Sequence, residues 1–439
     1  MGHGHGIEPR LLALQRRLDR MPIRAPAHPA LFEILDELFR GEERRLAAAM
    51  PLRPSTTERI ARCAGISARR AEELLRDMLH RGLVVDLPHP DGRTFWFLNP
   101  TVIGFFEFSM MRRRDDVDQA RLARHVWEYF HGDPDLAFVR MIGNEGTFLA
   151  RPLLQEEAVA GGTDSEILDE ERATEIVARA GRWAEGICHC RHVQEHLGRR
   201  CAYPIDHCLA LGQGADYLSR AGLARPIDQS RALDVLAHAK ELGMVQMVDN
   251  VRRKPTFLCN CCSCCCEMLE GLRLLGGHRG TVRSNHAAAV DPPKCNGCGR
   301  CVRACPLGAI ELVPEAAGAA RKSKAHARVT ADRCLGCGVC RRRCPTGAIQ
   351  LHRTPTRIQT PGTQVERMVL QALERGTLAH LLFDDPTRLS HRVFARVLTT
   401  LLELPPARRL LARRQVRSRF VELLLGGWRP VAGHPALRP

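Results

Sequence analysis

Aromatic residues are scarce: Phe, Trp and Tyr together make up 5% of the 439 residues. Basic stretches without interleaved aromatics are a poor match for single-stranded nucleic acid, which binds by base stacking. No apolar run reaches the roughly 20 residues needed to span a bilayer. No apolar N-terminal stretch has the form of a signal peptide, so a cytoplasmic protein is expected. No G-x-G-x-x-G stands in a strand–helix context, and no Walker-type lysine loop occurs. Nothing therefore supports a nicotinamide, flavin or nucleotide site within the chain.

Cysteine, by contrast, is abundant, with 19 in the chain. A reducing compartment makes metal ligation the expected use of these thiols rather than disulfides. The 44% apolar content is that of a globular protein, and the length suits two to four domains. Lys and Arg exceed Asp and Glu by 65 − 49 = 16. That surplus permits acidic proteins, nucleic acid or anionic lipid as partners and selects none.

One cysteine pattern occurs twice. Cys295, Cys298, Cys301 and Cys305 precede Pro306, and Cys334, Cys337, Cys340 and Cys344 precede Pro345. Both copies read C-x2-C-x2-C-x3-C-P, each second-copy ligand lying 39 residues after its counterpart. Three thiolates on a tight, glycine-bearing loop suit three iron corners of a [4Fe–4S] cube, while the fourth points away. The segment 286–352 resembles the bacterial 2[4Fe–4S] ferredoxins. The resemblance implies electron transfer through two [4Fe–4S] clusters. It implies Cys295, Cys298, Cys301 and Cys344 on one cluster, and Cys334, Cys337, Cys340 and Cys305 on the other.

Residues 27–115 read as a winged helix-turn-helix-like domain behind a flexible terminus, 1–26. Apolar Leu31, Ile34, Leu35 and Leu38 share one helix face. Ser55-Thr56-Thr57 caps a second helix and Ser67 a third, which carries Ala71, Leu74, Leu75 and Met78 inward. Residues 83–87 and 94–98 form a hairpin whose loop, 88–92, is the candidate wing. If it reads DNA, Ser67, Arg69, Arg70 and Arg76 enter the major groove and Arg93 meets phosphate. Glu72, Glu73 and Asp77 on the same helix oppose that. Cys63 reads as a buried structural thiol. Residues 116–186 form a mainly helical connecting region. It has a helix through 120–130 and an acidic helix over 166–184.

Residues 187–285 hold ten further cysteines: Cys188, Cys190, Cys201, Cys208, Cys259, Cys261, Cys262, Cys264, Cys265 and Cys266. Thiols at this density point to metal ligation. The first four can supply one cubane or one zinc, with His189, His192, His196 and His207 as nearby alternatives. Vicinal cysteines cannot all reach one metal. Either the two groups converge or each holds its own site. A third iron–sulfur cluster, or zinc, is expected in 188–266. Residues 209–222 and 231–247 read as amphipathic helices. The remaining segment, 353–439, reads as a helical basic region with helices over 364–374, 388–402 and 407–425. It holds fifteen Arg against six Asp and Glu.

The expectation is an α+β, multidomain protein that transfers electrons through iron–sulfur clusters to and from acidic redox protein partners. Two alternatives stand beside it: a redox-sensing transcriptional regulator acting on DNA through the winged helix, and a reductase using the cysteine-rich site on a small substrate.

Overall fold

The computed structural model describes residues 7–136, 139, 142, 147–159, 171–276, 283–314, 325–355, 357–385, 387–406, 411 and 419–424. The start of the expected acidic helix, 166–170, and most of the helix expected at 407–425 lie outside these residues.

The chain begins with helices α1 (Pro9–Leu18), α2 (Pro29–Leu38) and α3 (Glu42–Ala49). The face Leu31, Ile34, Leu35 and Leu38 of α2 is buried, as the 3.6-residue period requires. After strand β1 (Ser55–Thr56), helix α4 (Thr57–Ala64) opens on the Thr56 hydroxyl and stops at Gly65, which sits in the left-handed region. Helix α5 (Ala68–His80) opens on Ser67, whose hydroxyl accepts from the Arg70 N–H at 3.2 Å. Strands β2 (Val84–Pro88) and β3 (Thr94–Leu98) form the expected hairpin, and β1 pairs on the free edge of β3. The helix–turn–helix–hairpin order is thus as the sequence suggested.

The segment after β3, with α6 (Phe106–Ser109), packs Val102, Phe105, Phe106, Met110 and Met111 into the core. Helix α7 (Gln119–His131) follows.

The region read as mostly helical connection and scaffold contains a six-stranded antiparallel sheet. Its strands are β4 (Ala150–Pro152), β5 (Trp183–Gly186), β6 (Cys208–Leu211), β7 (Arg225–Ile227), β8 (Val245–Asp249) and β9 (Phe257–Cys261), in the order β4-β8-β9-β6-β5-β7. Helices α8 (Ala173–Arg179), α9 (His189–His196), α10 (Gln213–Arg220) and α11 (Gln229–Leu242) intervene. Two expected helices are therefore shorter than proposed. Residues 209–211 are strand, and α10 starts only after Gly212. Helix α11 ends at Gly243, left-handed at φ 80°, and the chain continues as β8. Among the described residues of the expected acidic helix, Ala173–Arg179 form α8 and Trp183–Gly186 are strand. Region 116–186 thus supplies β4 and β5 to the same sheet as the cysteine-rich segment.

Alternation along the strands sets the two faces of this sheet. Leu209, Leu211, Val248 and Leu258 lie on one face, covered by Val177 of α8 and by Ala232, Val235 and Leu236 of α11. Cys208, Cys259, Cys261 and Met247 fall on the other. That face looks toward the N-terminal helices, whose core also takes in Ala210, Ala215, Tyr217 and Leu218. Arg220 of α10 bridges to Asp86 of β2 by two bonds, at 2.8 and 2.9 Å.

Beyond α12 (Glu267–Leu274) comes a small two-part unit. Strand β10 (His286–Val290) pairs with β13 (Ile349–Arg353), and β11 (Ile310–Pro314) pairs with β12 (Ala325–Val329). Helices α13 (Arg300–Ala304) and α14 (Val339–Arg342) occupy equivalent places, each entered through a left-handed glycine, Gly299 and Gly338. The last helices are α15 (Gln364–Glu374), α16 (Leu378–Leu382) and α17 (Leu389–Glu403). The buried Asp384 carboxylate between α16 and α17 takes Arg53 and Arg59 of the N-terminal unit at 3.0 and 3.1 Å. No described helix is long and apolar enough to cross a membrane.

Candidate metal centres

The repeat brings the two cysteine runs together crosswise. Cys305 lines one hollow with Cys334, Cys337 and Cys340, alongside Ala288, Leu307, Ile310 and Leu351. In the other half, burial raises the Cys301 thiol, and the neighbouring sulfurs of Cys295 and Cys344 raise it further. Backbone amides point at these sulfurs. Ala288 N–H donates to Cys334 at 3.5 Å, Ala309 to Cys305 at 3.2 Å and Ala327 to Cys295 at 3.4 Å. Burial pushes Cys337 up to about 12 and Cys340 well above its ordinary value. Sulfurs gathered in one hollow and met by amide donors suit an iron–sulfur core.

The ten middle cysteines do not divide as the sequence suggests. Cys201 parts from Cys188, Cys190 and Cys208, and the run 259–266 splits in two. Six sulfurs form a ring. Cys188 neighbours Cys190, Cys190 neighbours Cys266, Cys266 neighbours Cys261, Cys261 neighbours Cys259, and Cys259 neighbours Cys208; the two ends, Cys208 and Cys188, act on each other through charge alone, so the ring is open between them. The six are gathered because β6 and β9 set Cys208 opposite Cys259, while Cys188 and Cys190 start α9 and Cys266 caps α12. Hydrogen bonds from Cys208 and Cys261 hold Cys259 down to about 5. Those from Cys190 and Cys261 hold Cys266 well below the ordinary thiol range.

The remaining four, Cys201, Cys262, Cys264 and Cys265, have all their sulfurs within 4.8 Å of one another. Arg191 stands between the two sets, with Cys188 and Cys261 of the ring and Cys262 of the quartet all acting on its guanidinium. It is held there by the Pro204 and Asn260 carbonyls, at 2.8 and 2.5 Å.

The ring opens onto a cavity of about 780 Å³ lined largely by apolar side chains such as Phe130, Phe148, Met247 and Leu272. Glu107, His189, Arg191 and Glu267 are among its polar lining residues. Burial pushes Glu107 up to about 7 and Glu267 up to about 8, and holds His189 down to about 4. Sequence reading did not single out Glu107 or Glu267. Each is one acid among many, and only the packing of α6 and α12 around the cavity distinguishes them.

The other candidate histidines go to protein partners. His192 Nδ1 lies 2.7 Å from the Met110 carbonyl and 3.2 Å, through Nε2, from His196. His207 Nε2 meets His238 Nδ1 at 2.9 Å. Glu185, Asp206 and His207 also converge, but Arg225 and Arg231 already neutralise Glu185. Cys63 is half-buried, 4.0 Å from Asp385 and remote from any other cysteine in its contacts.

Residues 294–348 match the family model of the 4Fe-4S dicluster domain. The match supports iron–sulfur binding by that segment. No curated protein and no solved structure matches the chain.

Proposed function

We propose that the protein is an iron–sulfur electron-transfer component. Its dicluster segment, with Cys295, Cys298, Cys301 and Cys344 on one cluster and Cys334, Cys337, Cys340 and Cys305 on the other, exchanges electrons with a third cluster on the six-thiol ring. One observation carries the reading. Cys261 and Cys266 of the ring belong to the same apolar cluster as Cys337, Leu335 and Val339 of the dicluster segment. The second half of the repeat and the ring thus share one apolar core.

When bound, iron–sulfur clusters take up and release single electrons at potentials set by hydrogen bonds and burial. The chain supplies both controls: the amides of Ala288, Ala309 and Ala327, and the apolar walls at Leu307, Ile310 and Leu351. A reducing cytoplasm suits nineteen unbridged thiols. Iron and acid-labile sulfide per chain, measured on anaerobically purified protein, test the proposal. About twelve irons support three cubanes, and about eight remove the third.

The cavity favours a second reading, a reductase acting on a small, mostly apolar substrate. Ring thiols, Glu107 and Glu267 line one cavity large enough for a small molecule. The regulator reading is less favoured. The helix–turn–helix and hairpin of 55–98 have the order of a winged helix, but the arginines that would meet DNA are engaged. Arg69 pairs with Glu73, Arg70 with Glu42 and Glu73, Arg76 with Glu72, and Arg93 with Asp91. A winged helix serving as a protein contact fits better, since β2 is bound to α10 through Asp86.

A further inference from the structure

We infer that Cys201, Cys262, Cys264 and Cys265 form a separate site for one metal ion, zinc, that clips together the two halves of the six-thiol ring. The argument is one of size. Four thiolates at about 2.3 Å from a tetrahedral zinc stand about 3.8 Å apart. The quartet's sulfurs all lie within 4.8 Å of one another, and Cys264 and Cys265 are 3.8 Å apart. Thiolates on the corners of a cubane are held much further apart, because four irons and four sulfides lie between them. The same molecule provides the comparison: among the described residues neither dicluster quartet draws together to that spacing.

Chain geometry leads to the same result. Cys262, Cys264 and Cys265 sit on one tight turn, residues 262–265, between β9 and α12. The spacing on this turn, C-x-C-C, is shorter than the C-x2-C-x2-C of the dicluster loops and draws three sulfurs toward one small ion rather than spreading them over three corners of a cube. Cys201 arrives from the loop between α9 and β6 and completes a closed four-sulfur shell. Tetrahedral, all-thiolate and closed is the signature of structural zinc. One zinc with four thiolates carries a net charge of −2, and the Arg191 guanidinium beside Cys262 offsets part of it.

The position defines the role. The loop bearing Cys201 connects Cys190 to Cys208, and the turn bearing the other three connects Cys261 to Cys266. Tying loop to turn fixes the spacing of the two segments that furnish the ring. The ion therefore orders the neighbouring centre without touching it.

The test uses full-length protein purified anaerobically from medium containing both metals, with zinc, iron and sulfide measured per chain. About one zinc is expected beside the iron. Cys264→Ser, at the exposed member of the quartet, should lower zinc to a small fraction. The iron and sulfide of the dicluster segment should stay, and any iron lost should come from the ring centre and accompany the zinc rather than replace it. Cys264→His, which keeps a zinc ligand, should restore the zinc. Cobalt introduced in place of zinc should show thiolate-to-cobalt absorption in wild type, lost in Cys264→Ser. The inference is overturned if zinc is absent from the wild type. It is equally overturned if Cys264→Ser removes iron instead, whether one ion or four. A missing third cluster with zinc retained would count against the proposed function and leave this site standing.

Discussion

Cys208 and Cys259 are direct partners across the β6–β9 ladder, so both sulfurs leave the same face of the sheet. A one-residue slip in either strand would turn one of them to the opposite, apolar face. The ring is therefore a product of strand register. Cys259→Ser should remove the iron of the ring centre, about four per chain if it is a cubane. The signals of the dicluster segment should remain. Iron analysis with low-temperature EPR of the reduced protein checks this, and an unchanged iron count would rule out the ring as a cluster site.

The dicluster segment is sensitive to backbone shape at Gly336. This glycine is left-handed at φ 67°, and a Cβ there would collide with the His286 carbonyl and the Ser284 hydroxyl. Gly336→Ala should cost about 2–4 kcal/mol or prevent cluster assembly, combining conformational strain with a steric clash. Gly347, also at φ 67°, has open space around its Cβ position. Gly347→Ala should cost only about 1–2 kcal/mol, the strain alone. Cluster content and denaturant midpoints of the two variants separate the terms.

The contact between the N-terminal unit and the sheet rests on Asp86, whose side chain is 8% exposed, and Arg220, 39% exposed. Removing the guanidinium leaves a nearly buried carboxylate without its partner. Arg220→Ala should destabilise by about 1–3 kcal/mol, the upper end moderated because the arginine is partly hydrated. Adding Asp86→Asn should recover part of that loss, and a double-mutant cycle in urea measures the coupling.

Much of this architecture was legible in the sequence, for local reasons. The paired C-x2-C-x2-C-x3-C-P runs declare themselves because one loop conformation places three ligands. The caps Thr56 and Ser67 and the hairpin at 84–98 are likewise short-range. The central sheet was not legible. Its strands run only three to five residues, as at β4, β6 and β8, and short apolar stretches such as Leu209–Leu211 are equally compatible with helix. With the sheet hidden, the partition of the ten cysteines was hidden as well. Cys201 lies closer in sequence to Cys208 than to Cys264, and only the loop between α9 and β6 brings it to the turn.

Engagement of the presumed recognition helix makes a prediction about nucleic acid. Arg70 would have to leave both Glu42 and Glu73 before meeting phosphate, and those acids would then face the polyanion. Duplex DNA should bind weakly, without sequence preference, and be released as salt rises to about 200 mM, in oxidised and reduced protein alike. Sequence-selective retention in one redox state at that salt would restore the regulator reading.

The last prediction concerns acid. Burial of Asp384 raises its carboxyl, but the bond from Arg53 and the charges of Arg53 and Arg59 outweigh it, and the group is held below the ordinary carboxylate value. A depressed folded value stabilises the fold above the unfolded value, about 3.9, and that stabilisation is lost as pH falls through the folded one. Between neutrality and about pH 5 the contribution is constant, because the carboxylate is ionised in folded and unfolded chains alike. Asp384→Asn should therefore unfold at lower urea than wild type at about pH 7, with the gap narrowing toward about pH 3. Hydrogen exchange in α16 and α17 should rise in the variant at neutral pH, since this carboxylate ties their junction to Arg53 and Arg59. A gap between the two chains that stays constant with pH would show that Asp384 acts by packing and not by charge.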